Sequence, residues 1–202
     1  MRYEMNKIIA QSFKIFLSLT ILTGVIYPLF ITLIGQVLFP NQSNGSLIIK
    51  NGNIIGSELL GQNFADSIYF QSRPSAINYN PLPSGASNLG LSSALLKKQV
   101  NDRKLEFRKN NLLSDSIIIP SEMLFASGSG VDPHISVEAA KLQINRVIKS
   151  RNLSTDKSKL LYNLIDSLSE YPQFGILGNQ VVNVLSLNLK LDEESKRWKT
   201  QN

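Results

Sequence analysis

The sequence predicts an α+β protein: one N-terminal transmembrane helix, then a mixed α/β extracytoplasmic domain that opens with a β-hairpin. Three observations carry this reading. Residues 15–39, IFLSLTILTGVIYPLFITLIGQVLF, hold no charge, and as a helix they run roughly 37 Å, enough to cross a hydrocarbon core of about 30 Å with some tilt. SLIIKNGNIIGS sets two short β-branched runs around Asn51-Gly52, the dipeptide that tight hairpin turns favour. Beyond residue 90, helical spacing of apolar residues gives way to strand-like alternation at the end. The chain divides accordingly into a cytoplasmic N-terminus at 1–14, the transmembrane helix at 15–39 and the extracytoplasmic domain at 40–202.

The apolar run reads as an anchor that stays attached. It exceeds the 7–15 apolar residues of a signal peptide and is followed by PNQSNGS, which is no A-x-A-like cleavage site. Pro28 lies mid-span and frees a backbone carbonyl, a cost that neighbouring helices offset when the span packs in a complex. Gly24 and Gly35, 11 residues apart, fall on nearly one face of a regular helix, and with Thr23 and Thr32 they offer small contact points for a neighbouring helix. Arg2, Lys7 and Lys14 precede the span against Glu4, whereas Lys50 is the sole basic residue between Phe39 and Arg73. The basic flank places the N-terminus in the cytoplasm.

Residues 71–90, QSRPSAINYNPLPSGASNLG, concentrate Pro, Gly, Ser and Asn and read as a long loop. LSSALLKKQVNDRKLEFRKN follows as a helix with Leu96, Val100 and Phe107 on one face and a solvated basic face. Ser136 N-caps a helix over 136–151, with Glu138 in its first turn and basic residues at its end. Leu160, Leu161, Leu164, Ile165 and Leu168 recur at helical spacing and predict another helix. In VVNVLSLNLKL, Leu185, Leu187, Leu189 and Leu191 alternate with Ser186, Asn188 and Lys190, which predicts a half-buried strand before a charged tail.

Composition narrows the function. With 202 residues and 43% hydrophobic content, the chain can bury a core. A net charge of +6 is too mild to imply nucleic acid, and the lack of cysteine excludes disulfides, thiolate metal sites and cysteine nucleophiles. Neither G-x-x-x-x-G-K-[ST] nor G-x-G-x-x-G occurs. The one histidine lies in SGSGVDPHIS, residues 127–136, near Ser127, Ser129 and Asp132. The stretch lacks a G-x-S-x-G elbow, and Asp132 and His134 are nearly adjacent, so a turn-rich structural loop that delivers the chain to Ser136 accounts for it better than a hydrolytic triad. One histidine without cysteine is also a poor zinc set.

Eight blocks in order carry a family resemblance: GVIYPLFITLIGQVLFP, NGSLI, IGSELLGQNF, YFQSRPSA, YNPLPSGASNLG, ASGSGVDPHIS, AAKLQINRVIKSRNL and VVNVLSLNL. From about Gly24 to Asp192 the chain resembles the KdpC family, a component of the bacterial Kdp potassium-transporting ATPase. Ala86 stands in SGASNLG where a second glycine is usual, and residues 105–118 match poorly.

The resemblance implies a non-catalytic accessory subunit of a high-affinity potassium importer in the bacterial inner membrane. Its partners would be a potassium-binding, channel-like subunit, a P-type ATPase subunit and the lipid bilayer, with no nucleic acid. No catalytic residue, metal ligand or bound cofactor is expected. The resemblance also implies a rival role, a catalytic chaperone that raises the ATP affinity of the ATPase subunit through a ternary complex with nucleotide. That role would place ATP at Ser84, Gly85, Ser87, Asn88 and Gln143. It ranks below a scaffolding role, because an extracytoplasmic domain does not meet cytoplasmic ATP.

Overall fold

A computed structural model describes residues 2–200, and the chain separates into two compact units, one up to Ile48 and one from Ile49 onward. In the first unit, α1 (Arg2–Ile21) passes through a π-helical turn at Leu22–Ile26 into α2 (Tyr27–Leu38). The span Glu4–Leu38 is long and apolar enough to cross a membrane. Its large side chains stand exposed along the helix, as lipid or a partner helix requires. Pro28 explains the π turn. It has no N–H to return to Gly24 and its ring crowds that carbonyl, so the Tyr27 N–H reaches five residues back to the Leu22 carbonyl instead. Thr20, Thr23 and Thr32 return their hydroxyls to carbonyls four residues earlier at 2.7–2.8 Å, so they face no neighbouring helix with a free donor. A short α3 (Pro40–Ser43) follows.

The expected hairpin is present as β1 (Leu47–Lys50) paired with β2 (Asn53–Ser57). Asn51 and Gly52 both take positive φ, 53° and 79°, as a two-residue turn of this kind demands. No helix or strand interrupts residues 58–93, which extends the predicted loop at both ends. The helix after it is α4 (Ala94–Asn111), whose Leu96, Phe107 and Asn111 are buried. Ser93 caps it by accepting from the Leu96 N–H, and Leu112 ends it in the left-handed region at φ 59°.

The second unit closes around a three-stranded antiparallel sheet in the order β3 (His134–Ser136), β5 (Val181–Asn183), β4 (Ser169–Glu170). Ser136 accepts from the Ala139 N–H and starts the predicted helix, which is divided at Gln143 into α5 (Val137–Leu142) and α6 (Ile144–Ser150). The division is a tightened turn: the Gln143 N–H bonds the Ala140 carbonyl three residues back. The next predicted helix is α7 (Ser158–Ser167), with Leu161, Leu164 and Ile165 buried.

The final stretch corrects the sequence reading. Only Val181–Asn183 is strand, and residues 184–200 form α8 (Val184–Thr200), which includes the charged end read as a tail. The buried positions Val184, Leu185, Leu187, Asn188, Leu191, Ser195 and Trp198 follow the three- and four-residue spacing of a helix face. Leucine alternation concealed this, because Asn188 counted as surface. Asn183 accepts from the Ser186 N–H at 3.1 Å and supplies the cap. The core joins Ile135 and Val182 of the sheet to Ile144, Val147, Leu161, Ile165, Leu187 and Leu191 of the helices, with Phe70 and Phe107 completing it.

Candidate functional site

Residues 67–72 form a strap that crosses this core without joining a sheet, and Phe70 within it is fully buried. Buried backbone needs partners, and here side chains supply them. Asn188 of α8 donates to the Phe70 carbonyl and accepts from the Phe70 N–H, both at 2.8 Å. Gln143, at the α5–α6 junction, does the same for Gln71: its Oε1 accepts from the N–H at 2.7 Å and its Nε2 donates to the carbonyl at 3.2 Å.

Arg146 of α6 extends the clamp. Its Nη1 donates to the Ser67 and Tyr69 carbonyls at 2.5 and 2.8 Å, its Nε to Asn111 at 2.9 Å and its Nη2 to Gln143 Oε1 at 2.7 Å. Burial pulls its pKa down to about 10, while Asp66 opposes that shift. It therefore stays charged at neutral pH. Arg151, one turn beyond, donates to the Ile68 carbonyl at 2.7 Å, pairs with Asp192 at 2.8 Å and lies 5.0 Å from the centre of the Tyr69 ring. Burial foremost, and then the Asp192 carboxylate that accepts from its hydroxyl, raise the Tyr69 pKa above its ordinary value.

These contacts locate the candidate nucleotide residues. Gln143 is fully buried, and both of its amide atoms are engaged with Gln71 and Arg146. Ser84, Ser87 and Asn88 are exposed on the 71–90 loop and Gly85 is half-buried. The Gly85 N–H donates to the Ser129 carbonyl at 3.2 Å, so this loop rests on 127–131. Gly130, at φ 74°, permits the approach, since a Cβ there would meet Ile77 and, at 2.9 Å, the Gly85 carbonyl. The structure thus rests Gly85 on Ser129 and connects Gln143 to the strap.

The histidine loop is organised by Asp132. Its carboxylate accepts from Arg73 at 2.6 Å and from the His134 N–H at 3.0 Å. The His134 ring stands 3.8 Å from Asp132 and 4.0 Å from Glu170, and lies in β3 opposite Asn183. Ser129 Oγ accepts from the Val131 N–H of its own turn at 3.2 Å, not from the imidazole. Gly61 packs on the same turn, with its N–H on the Val131 carbonyl at 2.7 Å, and a Cβ there would come within 2.5 Å of the Asp132 carbonyl. Among the described residues no group of His, Asp and Glu is set to hold a metal ion.

Sequence reasoning did not single out Asn111, Arg146, Arg151 or Asn188. For Arg146 a signal existed: Gln143, Arg146, Val147 and Ser150 lie three, four and seven apart on one helix face, and the apolar member marks that face as inward.

The model of the family described as KdpC, K+-transporting ATPase, c chain, matches residues 9–193. Similar proteins include the potassium-transporting ATPase KdpC subunits of Pectobacterium atrosepticum, 44% identical over 91% of this chain and 95% of the relative, and of Leptospira interrogans, 42% identical over 93% and 94%. That of Shigella dysenteriae is 45% identical over 88% of this chain and 93% of its own length. Coverage of both the apolar helix and the domain that follows it, at these identities, places the chain in the KdpC family of K+-transporting ATPase subunits.

Proposed function

We propose that this chain is a non-catalytic accessory subunit of an ATP-driven potassium importer, and that it stabilises the assembly of a channel-like, potassium-binding subunit with a P-type ATPase subunit. The observation that carries the reading is the β4–β5 connection. Tyr171, Phe174, Ile176 and Leu177 project from it with exposures of 72%, 90%, 81% and 58%, and residues 171–180 contain no charge. Their backbone is ordered by Gln173–Leu177 pairing and by a Gly175 N–H bond to Pro172, so the apolar tip is built rather than frayed. A fixed apolar projection of this size is what a protein interface buries.

The basic residues before the span support an N-terminus in the cytoplasm and a domain outside. An impermeant thiol reagent added to intact cells would then label Asn51→Cys and spare Asn6→Cys. The rival reading, a catalytic chaperone that contacts ATP, would require Gln143 to abandon Gln71 and Arg146, and its burial supports scaffolding.

The test replaces Phe174 and Ile176 with serine. The full-length variant should express and unfold like the parent, since both side chains are exposed, yet lose most co-purification with the other transporter subunits. Undiminished co-purification overturns the assembly role for this loop.

A further inference from the structure

Alongside the strap runs a cavity of about 330 Å³ lined by Ala65, Ser67, Gln71, Asn110, Leu112, Arg146, Lys149 and Ser150. Two cations line it and no carboxylate does. Asp66, the acid that acts electrostatically on Arg146, is not among the lining residues. Arg146 is only 4% exposed and makes no ion pair among the described residues. A guanidinium has five N–H donors; Nε, both Nη1 positions and one Nη2 position are taken, which leaves one Nη2–H with no acceptor among the described residues. A buried cation held solely by neutral acceptors carries an unbalanced desolvation cost, and an anion beside it offsets that cost. Lys149, one turn-step on along α6, is exposed, and its ammonium makes no hydrogen bond or ion pair among the described residues.

We infer that this cavity is a binding site for a small oxyanion, held by Arg146 and Lys149 with the amides and hydroxyls of Asn110, Ser67 and Ser150 around it. Arg146 supplies a donor fixed by its clamp contacts, so little order is lost on binding. Lys149 supplies a mobile charge at the mouth. The polar neighbours suit the remaining oxygens of a phosphate or of a carboxylate. Either a free ion or an acidic side chain of a partner subunit presents that chemistry.

The test titrates inorganic phosphate into the purified full-length chain in detergent, against chloride at matched ionic strength, and follows the unfolding temperature. Phosphate should raise it in a saturable way. Lys149→Gln should leave the unfolding temperature in chloride unchanged and weaken the phosphate response about tenfold, the scale of one charge-assisted hydrogen bond. Arg146→Lys, which keeps the charge and loses the fork, should weaken it as well. The assembled complex then separates the sources: a phosphate response there marks a free ion, whereas its loss on assembly marks a partner carboxylate in the cavity. No saturable response in the isolated chain, or one that Lys149→Gln leaves intact, overturns the site.

Discussion

Gln143 and Asn188 grip consecutive residues of one buried segment, each with a side-chain amide that bonds both the N–H and the carbonyl of its target. They come from different helices and act as two isolated rungs of a ladder whose other strand is absent. A strap without a sheet neighbour can thereby cross the core. Its peptide groups would otherwise be buried without partners, at about 1–3 kcal/mol each.

Removing one rung should show that cost. Asn188→Ala strips both backbone partners from Phe70, and Gln143→Ala does so for Gln71 while also removing one acceptor of Arg146. Each variant should lose about 3 kcal/mol in urea unfolding of the full-length chain, followed by emission of its single tryptophan, buried Trp198. A loss below about 0.5 kcal/mol in both would show that the strap is held by apolar burial alone.

Asp132 and His134 should separate structure from chemistry. His134→Ala should leave ATP turnover of the assembled transporter within a few-fold, since removing a general base costs at least about 10². Asp132→Ala removes acceptors from Arg73 and from the His134 N–H, and should cost about 1–2 kcal/mol of stability without a comparable fall in the turnover of folded complex. A hundredfold fall with His134→Ala would make the ring a reacting group.

Alkaline stability should report on Tyr79. Its hydroxyl donates to the Arg73 carbonyl at 2.6 Å, and burial raises its pKa above the ordinary 10.0. A phenol raised on folding stabilises the native state fully below pH 10, and that contribution is lost as pH rises through the folded value, because the unfolded chain gives up its proton first. Unfolding midpoints should therefore fall above pH 10, and Tyr79→Phe should fall less steeply over the same window. Equal slopes in the two proteins would assign the loss to other groups.

Features with local causes are legible in the order of residues alone. An uncharged run specifies a helix long and apolar enough to cross a membrane, Asn51-Gly52 specifies a turn with two positive φ angles, and Ser136 specifies a helix start. Each depends on neighbours a few residues away. Other features exist only once remote segments meet. Asn188 is polar in a list of residues and buried in the fold, because Phe70, distant in sequence, needs its amide. Once Asn188 counts as inward, residues 184–198 keep helical rather than strand period. The same holds for Gln143, which the family resemblance had set beside Ser84, Gly85, Ser87 and Asn88, and whose two amide atoms are taken by the strap. Side-chain to backbone bonds between remote segments leave no periodic trace, because their partners are peptide groups that every residue shares.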